Sequence, residues 1–390
     1  MNELMRKKKI LITACNIFPN DGGDKRVSLS LLNKLSVGSE LHFINIINER
    51  EYTRQEKEDL QNICKSILIL KESYFNNVIS LLLSFLFKNA FMVVRRKRRR
   101  KISKQIAEAI KLIEPDVIIW DHIRSISYFA QNNFYNILLE HNFEAGIYTE
   151  KINLYPKLFK KILKKQVDFI DSFNKKANDL MQKVIYLSDA DAEHYKLPQA
   201  AIWKFRSISF FHSDYFVNEK SILNLLFVGS LEWYPNIEGI NWFIDNVLPS
   251  LGKNYQLTIV GKNPTDKFKK KVISNKQIRF FYNVPSVEQY YMDADIFISP
   301  IFLGLGINIK IIEAASFGIP MVVSNHSLKG YESLNFIPVA DTTTDFIDRI
   351  KYVSQLETRL VLNKKINDWY SNDLEKDKVS FELLFSSNNS

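Results

Sequence analysis

Cysteine is scarce in this chain: Cys15 and Cys64 are the only two in 390 residues. No disulfide framework can be built from them, and two free buried thiols fit a reducing, cytoplasmic compartment. The six histidines are scattered and no cysteine pair exists. The chain therefore lacks any cluster with metal-ligand spacing, and no metal or other cofactor is expected. It also lacks an uninterrupted apolar run of the roughly 20 residues that a membrane-spanning helix requires. The most apolar stretch, 74–94, is broken by Asn77, Ser80, Ser84 and Lys88. What remains is the composition of a globular protein, 46% hydrophobic and 25% charged, long enough for two domains with separate cores.

Charge is unevenly placed. The balance of 53 basic against 43 acidic residues gives +10, and seven of the positive charges form the unbroken run Arg95–Lys101. Basicity is thus local, which points to a local anionic partner. Nucleic acid is not that partner, because the run adjoins an apolar segment with no stacking motif or helix-turn-helix pattern. The breaks in 74–94 fall at spacings of three, four and four, so the polar residues share one helical stripe and leave a wide apolar arc. Two readings stay open. Either 74–101 is a pair of helices packed on a sheet with a solvated basic end, or it lies in the plane of an anionic membrane, where each Lys or Arg contributes roughly 1 kcal/mol. At the N-terminus, Arg6–Lys9 followed by Ile10–Phe18 mimics an export signal. The apolar stretch before Cys15 is too short for a signal core, so Ile10–Cys15 reads as a first strand.

Strand, loop and helix then alternate. Strands are expected at Leu41–Ile47, Ser66–Leu70, Asp116–Trp120, Ile137–Glu140 and Val184–Ser188, and again at Ile222–Val228 and Ile278–Val284. This is an α/β chain with two doubly wound, Rossmann-like domains: residues 1–213 and 222–360, followed by a helical segment 361–385. Chemistry-bearing residues gather at strand ends. Gly22 and Gly23 allow backbone amides to approach an anion. Asp121 and His122 stand where a proton can be moved near neutral pH. His141, Asn142 and Glu144 follow the next strand.

The most informative stretch is 294–324, ADIFISPIFLGLGINIKIIEAASFGIPMVVS. A short buried strand leads to Gly304 and Gly306, then to a helix, Ile309–Phe317, closed by Gly318 and Pro320, then to another strand. The loop lies at a strand's carboxyl end, where open parallel sheets bind ligands. Glu313 should lean back toward that loop; the alternative is a solvated surface glutamate. A dinucleotide fingerprint does not fit, since GLGINI lacks the third glycine and no acidic residue follows about 20 positions on.

GLGINIKIIEAASFGIPMVVS resembles the signature of the GT-B glycosyltransferases, specifically glycosyltransferase family 4 and its subgroup with a GxGxxxKxxEA loop, and HNFE at 141–144 resembles that subgroup's HNxE motif. The resemblance implies two domains facing each other across a cleft, with a nucleotide sugar held mainly by the C-terminal one. It implies that Glu313 holds the donor ribose. It further implies that Gly304, Gly306, Ile307, Asn308 and Lys310 hold the diphosphate together with Gly229, Ser230 and Lys262, and that the backbone of Asn283 and Val284 brackets the base. His122 would face the reacting sugar. Asp121, His141, Asn142 and Glu144 would line the acceptor side, and the double-glycine loop would face the donor. Two departures stand out: Leu305 occupies a position where several family members carry a second glutamate, and Asn308 one where the subgroup often has arginine. The resemblance also implies a retaining transfer to a glycan or lipid-linked acceptor in bacterial surface-polysaccharide synthesis, at the inner face of the membrane. The other reading is a non-catalytic partner subunit of the same fold.

Overall fold

The computed structural model describes residues 7–19, 22–152, 156–203, 217–304 and 306–386. Leu305, residues 214–216 of the expected connector 214–221 and the expected domain end at 213 lie outside the described residues. The chain divides into two compact units, residues 1–205 with 378–390, and residues 206–377.

In the first unit the described strands are β1 (Lys8–Thr13), β2 (Glu40–Ile47), β3 (Ser66–Lys71), β4 (Val117–Asp121), β5 (Tyr135–Glu140), β6 (Lys183–Tyr186) and β7 (Ala200–Ile202). They form one parallel sheet in the order β3-β2-β1-β4-β5-β6-β7. The helices are α1 (Gly23–Ser36), α2 (Arg54–Ile63), α3 (Asn77–Leu86), α4 (Phe91–Val94), α5 (Arg99–Ile113), α6 (Glu144–Ile152), α7 (Lys157–Asp179) and α8 (Asp189–Tyr195). β4, VIIWD, is buried along its whole length, as expected of a parallel strand covered on both faces. The chain changes direction across the sheet between β1 and β4, so the loops after these strands part and leave a crevice at the carboxyl edge.

The second unit repeats the grammar with β8 (Leu223–Ser230), α9 (Tyr234–Asn246), β9 (Tyr255–Lys262), α10 (Asp266–Ile273), β10 (Ile278–Tyr282), α11 (Glu288–Met292), β11 (Ile296–Ser299), α12 (Ile309–Ser316), β12 (Met321–Val323) and α13 (Thr343–Val353). Its parallel sheet runs β10-β9-β8-β11-β12, with the change of direction between β8 and β11. Gly239 on α9 sits against the Pro300 carbonyl so closely that a Cβ would lie 2.0 Å from its oxygen. Only glycine lets α9 approach the end of β11, which fixes the start of the glycine loop. The last helix, α14 (Leu356–Leu384), belongs to the second unit up to Asp377 and to the first beyond it.

The segment 74–101 departs from the packed-helix expectation. Ser80 and Ser84 are fully buried, Gln166 of α7 donating to the Ser84 hydroxyl at 2.6 Å, while Val78, Leu82, Leu86 and Phe87 are 69%, 65%, 73% and 65% exposed. The two serines of the polar stripe face the protein, while Asn77 and Lys88 stay exposed and the side of the apolar arc that carries Val78, Leu82 and Leu86 faces out. The basic run is not one solvated end either. Arg96 is buried, donating to the Met92 carbonyl and, at 2.6 Å, to the Tyr128 hydroxyl, which in turn donates to Glu72. Arg95 stacks on Tyr74, 4.0 Å from the ring centre. Lys97, Arg98, Arg100 and Lys101 are the exposed members. Of the two thiols expected to be buried, Cys64 is and Cys15 is only half so.

Candidate functional site

At the carboxyl edge of the first sheet, Asp121 is the hub. Its Oδ2 accepts from Thr13 of β1 at 2.8 Å and from Ser28 of α1 at 2.5 Å, and its Oδ1 lies 2.6 Å from His141 Nε2. Burial disfavours the charged carboxylate, but the His141 imidazolium and these hydrogen bonds outweigh it, so Asp121 titrates below the usual carboxylate range. His141, equally buried, is correspondingly held above its ordinary value by Asp121. The two form a buried ion pair, with His141 Nδ1 left without a hydrogen-bond partner.

His122 follows Asp121 with φ 68°, a left-handed conformation that a non-glycine residue holds only where the surroundings impose it. Its Nδ1 accepts from the Arg124 amide at 3.3 Å, which puts the ring proton on Nε2. That atom lies 3.2 Å from Glu144 Oε1, a close but poorly aligned contact. Burial, then the Arg124 charge, lower the His122 pKa and keep the ring neutral. Glu144 accepts from Arg124 at 3.1 Å; although burial opposes its charge, His122 and Arg124 draw its pKa down to about 2. Arg124 also comes within 4.0 Å of Asp24, in the first turn of α1 directly after Gly22 and Gly23. The structure therefore joins Asp121, His122, His141 and Glu144 into one cluster that Arg124 connects to Asp24, the residue after Gly22 and Gly23, with Asn142 half-buried on the intervening turn. Sequence reasoning missed Arg124, Thr13 and Ser28, which hold it together.

Glu140 ends β5 beside this cluster with both carboxyl oxygens buried and unpaired. Burial, reinforced by Glu144 and Asp191, raises its pKa well above normal. A group whose folded pKa is raised contributes stability that is present below the unfolded value near 4.3 and lost as pH rises, by up to about 1.4 kcal/mol per pH unit. Glu140→Gln is therefore expected to raise Tm at neutral pH, with the gain shrinking to nothing near pH 4; Tm measured across that range checks it.

At the carboxyl edge of the second sheet, Gly229 and Ser230 end β8 next to Lys262 at the end of β9. The Lys310 side chain, from the first turn of α12, passes so close to Gly229 that a Cβ there would lie 3.0 Å from Lys310 Cε. Asn236 of α9 donates to the Ser230 carbonyl at 2.8 Å. Gly304 and Gly306 have φ of 110° and 81° and carry the chain into Ile307 and Asn308. Asn308, at the helix N-cap, gives its side-chain amide to Ser299 at 2.9 Å rather than capping α12, so no side chain caps the helix start. His326 donates to the Gly304 carbonyl at 2.8 Å and pins the loop. Glu313 is 3% exposed and accepts from Tyr291 at 2.7 Å, which excludes the solvated reading. Asn283, with φ 52°, is fixed by its amide to the Gly261 carbonyl and by its side chain accepting from the Asn263 amide; Val284 follows it. Asn236, Tyr291, Ser299 and His326 were not found from sequence, because only the fold brings them to the loop. Among the described residues no group of three or more His, Cys, Asp or Glu is placed to hold a metal.

Two doubly wound parallel sheets, each with its polar residues at the switch point, define the α/β architecture of the GT-B glycosyltransferases. The Anabaena protein HepE, solved in complex with UDP and glucose, superposes with a TM-score of 0.64 over 97% of this chain and 99% of its own, at 11% identity. WaaG, a glycosyltransferase involved in lipopolysaccharide biosynthesis, gives 0.62 over 98% and 100%, at 13% identity. Residues 223–355, which fall in the second unit, match the family model for glycosyl transferases group 1. In sequence the chain is 27% identical over 330 residues, 80% of each protein, to an uncharacterized 44.6 kDa protein in the cps region of Klebsiella pneumoniae.

Proposed function

We propose that the protein is a retaining glycosyltransferase of family 4 type that moves a sugar from a nucleotide-sugar donor to a glycan or lipid-linked acceptor in surface-polysaccharide synthesis. The observation that carries this reading is Glu313: a buried carboxylate, oriented by Tyr291, one helical turn beyond Lys310 and an uncapped helix start at the sheet's switch point. A carboxylate held so accepts from ribose hydroxyls, while Lys310, Lys262 and the loop amides of Gly304 to Asn308 take the diphosphate, with Gly229 and Ser230 beside them. Asn283 and Val284 receive the base. These dipoles stabilise the charge that develops on the departing phosphate, and no metal is needed. The bond from the anomeric carbon to the diphosphate breaks and the bond to the acceptor oxygen forms on the same face, the acceptor proton passing to the leaving phosphate. In the first unit, the Nε2 proton of His122 orients a sugar hydroxyl, and Asp121, His141, Asn142 and Glu144 shape the acceptor side with the Gly22–Gly23 turn. The exposed cations of Arg95–Lys101 attract an anionic membrane surface.

Slow hydrolysis of one nucleotide sugar by the isolated protein, releasing the sugar with its anomeric configuration kept in a nuclear magnetic resonance time course, is the expected result. Inversion would overturn the retaining assignment. Binding without any turnover, even with acceptor extracts, would favour a non-catalytic partner subunit.

His326 bears on the same loop. Burial and Lys329 keep its ring neutral, and its Nε2 proton holds the Gly304 carbonyl. His326→Ala is expected to weaken nucleotide binding about 3- to 10-fold, matching one lost hydrogen bond of roughly 0.5–1.5 kcal/mol. His326→Gln, which keeps a donor, should recover most of the loss; titration calorimetry reads both.

A further inference from the structure

We propose that α3 is a membrane-insertion element: its outward apolar face, Val78, Ile79, Leu82, Leu86 and Phe87, enters the acyl layer of an anionic lipid surface. The proposal rests on the electrostatic membrane reading above and deepens it from attraction to insertion. An ordinary surface helix turns its polar residues to water. α3 does the reverse, burying Ser80 and Ser84 and exposing four large side chains by about two-thirds or more. The inversion is held in place from several sides. Asn76 caps the helix start by accepting from the Ile79 amide at 2.9 Å. Gln166 of α7 binds Ser84, and Phe85 packs edge-on against Phe169 of α7. The helix cannot roll its leucines inward without unpairing these groups.

Charge chooses the occupant. No aspartate or glutamate occurs between Ser73 and Ala107. The exposed cations Lys97, Arg98, Arg100 and Lys101 follow the helix closely in the chain. The strand bridge of Tyr74 to Arg96 and the buried Glu72–Tyr128–Arg96 contacts tie that run to the segment leading into α3. On α7, next to the Gln166 and Phe169 contacts, Lys161, Lys164 and Lys165 are exposed beside Ile162, itself 41% exposed. An apolar face whose exposed neighbours are mostly cations, with Asp168 of α7 the one exposed acid beside the Gln166 and Phe169 contacts, matches an anionic bilayer, which has an apolar interior and an anionic surface. A second copy of this chain would bring like charges together. Among the described residues no helix is long and apolar enough to cross a membrane, so the contact is interfacial.

The test is co-sedimentation of the full chain with vesicles of phosphatidylcholine alone and of phosphatidylcholine with phosphatidylglycerol. Three proteins are compared: wild type, Leu82→Ser/Leu86→Ser, and a variant with Lys97, Arg98, Arg100 and Lys101 changed to Gln. Wild type is expected to bind the anionic vesicles. The serine variant, which keeps the net charge, should bind at least about tenfold more weakly, since each leucine withdraws several methylenes from the acyl layer. Both substitutions are at exposed positions, and an unchanged Tm confirms that the fold is intact. The glutamine variant loses the anionic preference if attraction operates. Wild-type binding by the serine variant would leave attraction standing and overturn insertion, and no binding by any protein would overturn both. A concentration-dependent dimer in sedimentation velocity, abolished in the serine variant, would assign the face to self-association instead.

Discussion

Asp121→Ala is expected to destabilise the protein by about 3–5 kcal/mol, the usual consequence of leaving a buried charge without its partner. The substitution strips acceptors from Thr13 and Ser28 and abandons the His141 imidazolium in the core. Asp121→Asn should be milder, because the amide oxygen still accepts while His141 reverts to a neutral ring. The pH dependence separates this from simple loss of packing. Asp121, with its folded pKa depressed, stabilises above the unfolded value near 4 and loses that contribution as pH falls through the folded one. His141, with its folded pKa raised, stabilises below about 6.5 and loses that contribution as pH rises through its folded value. The pair is therefore worth most between about pH 4 and 6.5, and the difference in stability between wild type and Asp121→Asn should be largest there and shrink on the alkaline side. His122, held neutral, has the opposite slope, which is why the difference between variants rather than the wild-type curve carries the information. Urea unfolding at a series of pH values measures it; a difference that does not vary with pH would contradict the ion pair.

Glu313→Ala should weaken nucleotide binding by about 10- to 150-fold, equivalent to the roughly 1.5–3 kcal/mol of hydrogen bonds to a charged group. Tyr291 would lose its acceptor at the same time, so part of the effect reflects a freed tyrosine rather than the ribose alone. Tyr291→Phe separates the two. It leaves the carboxylate in place but unsteered, and is expected to weaken binding by only a few-fold. Equal losses in the two variants would assign Glu313 to holding Tyr291 instead of the ligand. Full wild-type affinity in Glu313→Ala would remove the ribose assignment.

Much of the architecture was legible because buried parallel strands are apolar almost end to end. LLFVG at 225–229 and VIIW at 117–120 announce themselves as strands, and both end in the polar residues that mark the site. The glycine loop and Glu313 were legible for a related reason: a carboxylate set among Ile311, Ile312, Ala314 and Ala315 contradicts its surroundings unless something needs it. Other parts were hidden. α2 is a polar surface helix whose only strong sign is the Thr53–Glu56 capping box, and it was overlooked, as were α10, α11 and the edge strand β7. Arg124 and His326 carry no local pattern, because the groups they hold are distant in the chain or on another turn. The inversion of α3 could not be read at all. Periodicity states which residues share a face, and the choice of which face looks inward is made by Gln166 and Phe169, more than 80 residues away.

The most direct test of a nucleotide-sugar site in the second unit is thermal melting of the wild-type protein with UDP, GDP and ADP in turn. At about 100 times its dissociation constant the right nucleotide should stabilise the fold by roughly 2.7 kcal/mol. A rise in Tm with one of the three is the predicted result and fixes the base. No rise with any of them would contradict the donor site built on Lys310 and Glu313.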